Sequence, residues 1–527
     1  MRISTQQYFD TSSSKYQENY AGVVKAQDQT STGVRVQTAS DDPVAAAQLL
    51  MLQQQKDMLG QYNGNITTLQ NSLSNEESVL SSINTVMQTA SGLALQAGNL
   101  KLNDDDRKAI SSQVGALEDQ VLGLLNTKDS SGNYMFSGAK TDTPPYSRNN
   151  DGTYTYQGDE TPLNLQVSSN LTVAAGDTGK TLLESSSNTG RTQTTLLPPS
   201  VNDGTVAISA GLVTSGAAYT KSFADGQPYK LTFASSTQYS VTDNAGNDVT
   251  SEITGNGTFD ATKEGASSVN LRGVKFDISL NLGSDVAPGA ASDALVAGKA
   301  FTLESKPDTF SLSRTASNAS TAQLTGGQVT DQAAYASTFP NSGAVVKFTS
   351  GNAYEVYAQP YTANSKTIAT GTMATGATSI TAAGVTFGVS GTPGAGDQFS
   401  VGATSNKNMN ALDTLGALRK ALLVPVDGNQ VAKNTLKDVL NTTIGNLSNA
   451  SAQIDQVRGS IGARQNALDI QGQENTSLGL ANTSTMSSLA NVDMGQAAID
   501  LTLQQTMLQA SQQAFVRISQ LSLFSKM

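Results

Sequence analysis

Hydrophobic positions recur at helical spacing near both chain ends and alternate with polar positions in the interior. After Ser40-Asp41-Asp42-Pro43, whose capping side chains and proline are typical of a helix start, one apolar series runs at this spacing to about residue 74. Two further series follow acidic groups that are suited to helix N-termini, Asn75-Glu76-Glu77 and Asp104-Asp105-Asp106. The pattern predicts three consecutive helices.

The interior has the opposite periodicity. Short segments alternate apolar and polar residues between turn signals: 154–156, 230–233, 274–278 and 385–389. All but one of the 13 prolines lie between Pro144 and Pro425, and proline is costly inside helices. The sequence therefore predicts an α+β protein, with helices at both ends and strands between them.

An internal repeat divides the strand-rich interior. Four pairs of segments match in the same order: 213–223 with 329–339, 239–241 with 354–356, 273–276 with 384–387, and 297–301 with 395–399. We predict two copies of one β-domain, at 206–322 and 323–405, after a separate β region at 130–205.

The two ends of the chain share a heptad pattern, which specifies a helix that packs against other helices. The tail has two apolar rows, and from Asn491 onward its only ionisable side chains are those of Asp493, Asp500, Arg517 and Lys526. An ordinary core helix of a monomer would show the same periodicity, but low charge and a wide stripe favour repeated protein–protein packing. The predicted assembly residues are Phe9, Tyr16, Tyr20, Val23, Leu501, Leu503, Met507, Leu508, Phe515, Ile518, Leu521 and Phe524.

Composition argues against catalysis. The 527 residues include no Cys and no His, which excludes thiol and imidazole nucleophile chemistry and Cys/His zinc sites. The paired acidic residues are adjacent on one backbone and are explained as helix caps, although the Asp104 triplet alone would also suit a cation. The net charge of −11 offers no nucleic-acid footprint, no segment is long and apolar enough for a membrane span, and no cofactor motif is present.

Several motifs carry a family resemblance. Thr32-Gly33-Val34-Arg35-Val36, followed by residues 40–46, resembles the turn and helix start of the bacterial flagellin superfamily. The segments 132–145 and 154–159 resemble the entry into the β-domain of its hook-associated protein 3 type, which joins hook and filament. The tail from Leu501 to Phe524 resembles the terminal helix of that type.

The resemblance implies a fold in which long terminal helices from both chain ends form a coiled-coil bundle, with mainly-β outer domains inserted between them. It further implies export through the flagellar type III channel and a place at the distal end of the hook. The implied partners are the first hook-associated protein, flagellin, copies of the chain in a ring and an export chaperone. A flagellin subunit is the close alternative, and a surface adhesin acting through the repeated β-domains is a more distant one.

These expectations divide the chain into seven parts. The ends are a self-assembly helix and turn at 1–42 and a self-assembly helix at 491–527. Coiled-coil helices are expected at 43–129 and 406–490, on either side of the three β segments.

Overall fold

The computed structural model describes residues 5–99, 101–149, 151–259, 267–282, 289–340, 342–404 and 406–524. Long helices stand near both ends of the chain and short helices lie among the strands. They are α1 (Thr5–Thr32), α2 (Pro43–Ala97), α3 (Asp104–Leu125), α4 (Gly179–Leu183), α5 (Gly216–Ala218), α6 (Ala224–Gly226), α7 (Ala290–Val296), α8 (Gln332–Thr338), α9 (Ala411–Leu422), α10 (Gln430–Ala490) and α11 (Met494–Phe524).

The described strands all lie between α3 and α9. They are β1 (Tyr146–Arg148), β2 (Tyr154–Tyr156), β3 (Asn164–Ser168), β4 (Leu171–Ala174), β5 (Ser186–Ser187), β6 (Thr192–Leu196), β7 (Val206–Ile208), β8 (Leu212–Val213), β9 (Tyr229–Phe233), β10 (Tyr239–Thr242), β11 (Ser267–Leu271), β12 (Val274–Leu280), β13 (Ala300–Ser305), β14 (Thr309–Arg314), β15 (Gln323–Val329), β16 (Ala344–Phe348), β17 (Ala353–Ala358), β18 (Thr367–Thr372), β19 (Ser379–Ala382), β20 (Val385–Ser390), β21 (Gln398–Thr404) and β22 (Asn408–Met409). The mixed class and the order helix, sheet, helix agree with the sequence prediction.

The helix starts follow the local sequence signals. The helix α2 begins at Pro43, and the Asp42 carboxylate accepts a hydrogen bond from the Ala45 N–H at 3.0 Å. The helix α3 begins at Asp104, where Asn103 and Asp106 form a capping box. Asp104 accepts the Val426 N–H at 2.9 Å, so this triplet serves helix capping and backbone contacts.

The predicted helix boundary at residues 74–77 is wrong. The helix α2 continues without a break through Ala97. Glu76 is buried and accepts the Asp177 N–H at 2.9 Å, while Glu77 forms an ion pair with Arg458 at 2.8 Å. Each of the two acidic side chains therefore has a partner distant in sequence, and the apolar series continues past them to Leu80, which is fully buried.

The chain forms two compact units. The first unit comprises Met1–Ser74, Asn164–Ala175 and Ile461–Met527, and the second comprises Asn75–Leu163 and Gly176–Ser460. In the first unit, the β3–β4 hairpin is held by the side-chain amides of Asn65 and Asn475, which donate to the carbonyls of Gln166 at 2.8 Å and Val167 at 3.0 Å. The predicted β region at 130–205 is thus divided, since this hairpin lies in the first unit and β1, β2, β5 and β6 lie in the second.

Two matching pairs of antiparallel sheets form the strand-rich part of the second unit. The strand order β10-β9-β13-β6 corresponds to β17-β16-β21-β14, to which β18 is added, and the order β11-β12-β7 corresponds to β19-β20-β15. The matched strands place aromatic residues at equivalent buried positions, namely Phe233, Phe276 and Phe301 in one core and Phe348, Phe387 and Phe399 in the other. This correspondence supports the duplication that the sequence repeat predicts.

The turns of the two copies also correspond. Arg272-Gly273 and Ala383-Gly384 both have positive φ at both residues, which gives the tight two-residue hairpin turn. Gly273 accepts the Thr214 N–H and Gly384 accepts the Thr330 N–H, each at 2.9 Å. The strand β6 lies before residue 206, where the first β-domain is predicted to start, and it pairs with β13. In the same way β14 lies before residue 323, the predicted start of the second β-domain, and pairs with β21. Each domain therefore includes residues before its predicted start.

Candidate assembly surface on the terminal helices

The helices α1 and α11 lie antiparallel in the first unit. The Tyr16 ring stacks on the Phe515 ring with centroids 6.1 Å apart, and the Asn19 side-chain amide donates to the Ser511 hydroxyl. Closer to the C-terminal end of α1, Gly22 lies against Gln504, and a Cβ added to Gly22 would be 2.8 Å from the side-chain oxygen of Gln504. These contacts define one line of packing, which we call the seam.

The seam follows heptad spacing along α11. Its members there are buried or half-buried: Ala497, Leu501, Gln504, Leu508, Ser511 and Phe515. On α1 it includes Tyr16, Asn19, Gly22, Val23 and Ala26. Of the predicted assembly residues, Tyr16 and Phe515 touch across the two helices. Val23, Leu501 and Leu508 are half-buried at positions in line with them.

A second apolar row on α11 remains exposed. It consists of Leu503, Met507, Ala510 and Ala514, and we call it the outer row. Leu503 is 54% exposed and Met507 is 44% exposed. Because an α-helix has 3.6 residues per turn, the outer row lies about a third of a turn away from the seam. On α1, Tyr20 is 56% exposed.

Four predicted residues cannot be placed on either row. The side chains of Phe9, Ile518, Leu521 and Phe524 lie outside the described part of the chain. In the other direction, the hydrophobic pattern missed Asn19, Gly22, Gln504 and Ser511, which are polar or small. For Gln504 and Ser511 the sequence does contain a signal, because they fall at the alternating steps of three and four residues that connect Leu501, Leu508 and Phe515.

A hydrogen-bonded turn closes the open end of the α1–α11 pair. The Arg35 N–H donates to the Ala490 carbonyl at 2.6 Å, and the Val492 N–H donates to the Gly33 carbonyl at 2.9 Å. The Arg35 guanidinium bonds the Leu489 carbonyl at 2.9 Å and the Asp42 carboxylate at 3.1 Å. This turn therefore connects the end of α1 to the break between α10 and α11.

Charge interactions stabilise the same turn. The Lys25 ammonium lies 2.7 Å from the Asp41 carboxylate, which also accepts the Thr38 N–H at 2.9 Å. These partners hold the pKa of Asp41 far below its usual range. The Ala45 N–H and the Arg35 guanidinium lower the pKa of Asp42 in the same way. Both carboxylates are consequently charged at neutral pH and oriented by the turn.

Within the described ranges, no group of three acidic side chains is placed to hold a metal ion. None of the helices in those ranges combines the length and apolarity that a membrane crossing requires.

Residues 3–141 match the bacterial flagellin N-terminal helical region. The predicted resemblance to flagellin-type proteins is confirmed. The flagellar hook-associated protein 3 of Salmonella typhimurium is 38% identical over 185 residues, which are 35% of this chain and 57% of that protein. Its counterpart in Escherichia coli is 36% identical over 192 residues, again 35% of this chain and 57% of the relative.

The matched segments thus span just over half the length of these relatives. Among solved structures, the flagellar junction protein FlgL from Legionella pneumophila aligns with 84% of this chain and 100% of its own, at 20% identity and a TM-score of 0.49.

Proposed function

We propose that this chain is a structural component of the bacterial flagellum that connects the hook to the flagellin filament. The observation that carries the proposal is the outer row, an apolar stripe that stays exposed on α11 although the seam beside it is already filled. Its occurrence in a chain with a flagellin-type N-terminal region and hook-associated relatives favours assembly over catalysis.

The helix pair suits assembly with neighbouring subunits. The seam joins α1 to α11 within one chain, and the outer row is available to helices of adjacent subunits. Repeated pairing of this kind would produce the coiled-coil bundle, with the mainly-β domains inserted between the helical ends. The low charge of α11 favours this arrangement, because few charged groups would lose their hydration at the contacts.

The proposed partners are copies of the chain in a ring, the first hook-associated protein on one side and flagellin on the other. We infer that the chain reaches the distal end of the hook through the type III export channel, with the help of an export chaperone. Before assembly, the helix pair buries only one of its two apolar rows, so we expect it to be marginally stable in the free subunit.

A truncation tests the proposal. Deletion of 491–527 removes α11 with both of its rows but leaves the β-domain cores intact. The expected product is a folded, secreted protein that no longer supports filament growth, seen by electron microscopy as hooks without filaments. Normal motility in the truncated strain would contradict the proposal.

A further inference from the structure

A groove in the second unit has no role in the proposed assembly. It lies between the end of α2, the first turns of α10 and the end of β12, and encloses about 680 Å³. This volume is within the range of sites that bind small molecules or short segments. We call it the Leu440 groove.

The floor of the Leu440 groove is apolar. Leu436, Leu440 and Val426 line it, and all three are buried members of the cluster that also contains Ala94 and Ala97. Beside this floor, Leu95 lines the groove and is 64% exposed. The groove can therefore accept aliphatic side chains from solvent and cover apolar surface that the chain itself leaves open.

The walls carry positive charge without a carboxylate among the described lining residues. Arg107, Lys433 and Lys437 line the groove. The Lys437 ammonium lies 3.9 Å from Asp277, whereas no ion pair joins Lys433 to a described carboxylate. An anionic group in the groove would thus meet Lys433, which has no carboxylate partner among the described residues, beside two cations that already have carboxylate partners.

Arg107 supplies the second, independent observation. Its side chain is only 4% exposed. Its terminal nitrogens are occupied, since Nη1 donates to the Leu102 carbonyl at 2.7 Å and Nη2 pairs with both Asp104, at 2.8 Å, and Asp427. The Nε–H is buried and has no partner among the described residues. A buried donor left without an acceptor is costly, so an acceptor that reached this N–H from the groove would be stabilising.

The remaining lining groups distinguish a peptide from a simple fatty acid. Side-chain amides of Asn99, Asn281, Gln430, Asn434 and Asn441 surround the apolar floor. Gln430 donates to Asn434 at 3.1 Å, and the Asn99 oxygen accepts the Lys101 N–H at 3.0 Å. The remaining amide donors and acceptors can bond a peptide main chain, whereas an aliphatic chain cannot use them.

We propose that the Leu440 groove binds a short segment of another protein in which an aliphatic side chain stands next to a carboxylate. The aliphatic group would pack on Leu436 and Leu440, the carboxylate would lie against Lys433 and Arg107, and the amides would bond the segment's main chain. This inference is independent of the terminal helices and goes beyond the proposed junction role.

The test uses the purified full-length chain and a displayed library of octapeptides. Selection should enrich peptides with Leu, Ile or Val beside Glu or Asp. A synthetic copy of the enriched peptide should bind about tenfold or more weakly to the Lys433→Glu variant, because charge reversal removes a charge-assisted contact. Lys366→Glu makes the same charge change at an exposed lysine on another part of the chain and should leave the affinity unchanged.

A second variant tests whether weaker binding by Lys433→Glu reflects the groove and not misfolding of that variant. Leu95→Asp alters an exposed lining residue of α2 and should also weaken the peptide, with the circular dichroism of both variants unchanged. Selection without acidic enrichment, or equal binding by Lys433→Glu and Lys366→Glu, would overturn the proposal. Saturable binding of decanoate without any selected peptide would also overturn it, in favour of a small carboxylate.

Discussion

The double substitution Leu503→Asp with Met507→Asp separates subunit folding from subunit assembly. Both side chains belong to the outer row and are about half exposed, at 54% and 44%. Complete burial of a Leu or Met side chain stabilises by about 1.5–3 kcal/mol, so each has roughly 1 kcal/mol left to contribute at a subunit contact. Together they account for about 2 kcal/mol, or about thirty-fold in an association constant. Buried carboxylates would add a desolvation cost of several kcal/mol.

The stability of the free subunit should change little, because substitutions at exposed positions alter the free energy of unfolding by about 0.5 kcal/mol or less. Thermal unfolding of the purified variant measures this, and electron microscopy with an assay of flagellin in the medium measures assembly. The matched control is Gln509→Asp, at an exposed polar position on another face of α11. Filaments in normal number on the double variant, or equal loss of filaments in the control, would refute the reasoning.

Three other changes test separate parts of the structure. Burial raises the pKa of Asp438 to about 6, so its charged form destabilises the folded state by about 3 kcal/mol above that pH. The free energy of unfolding should therefore rise as the pH falls from about 6 to about 4. Denaturant titrations at several pH values measure this dependence, and Asp438→Asn should flatten it. Glu118→Gln weakens a buried ion pair with Arg419 at 2.7 Å and should lower the free energy of unfolding in urea by about 3 kcal/mol. As the control, Glu160→Gln weakens the exposed ion pair with Lys180 and should change the free energy of unfolding by less than about 1 kcal/mol. Deletion of 192–405, which removes both repeated β-domains together with β6, should preserve much of the motility on soft agar if the chain is a junction protein. Loss of surface binding with full motility would favour an adhesin.

Local chemistry explains which parts of the fold were predictable. Asp42 and Pro43 set the start of α2 through a side-chain cap and a fixed φ, and both effects act within one helical turn. The paired turns at Gly273 and Gly384 were likewise visible as a repeat. In contrast, α2 continues past Glu77, whose carboxylate pairs with the distant Arg458, and no local signal reveals that partner.

The same limit applies to the terminal helices. The spacing of Leu501, Leu508 and Phe515 predicts a packed row, and these residues are half-buried along one face of α11. The identity of their partner could not follow from periodicity, because a heptad row does not specify whether the facing helix belongs to the same chain. Gly22 and Gln504 pack through close approach and a polar side chain, features that a search for apolar residues passes over.

Immunogold labelling of the chain on intact flagella tests the junction role most directly. An epitope inserted in the exposed 362–364 segment avoids both rows of the terminal helices. We expect one narrow band of label at the boundary between hook and filament. Label along the whole filament would contradict it and identify a flagellin subunit instead.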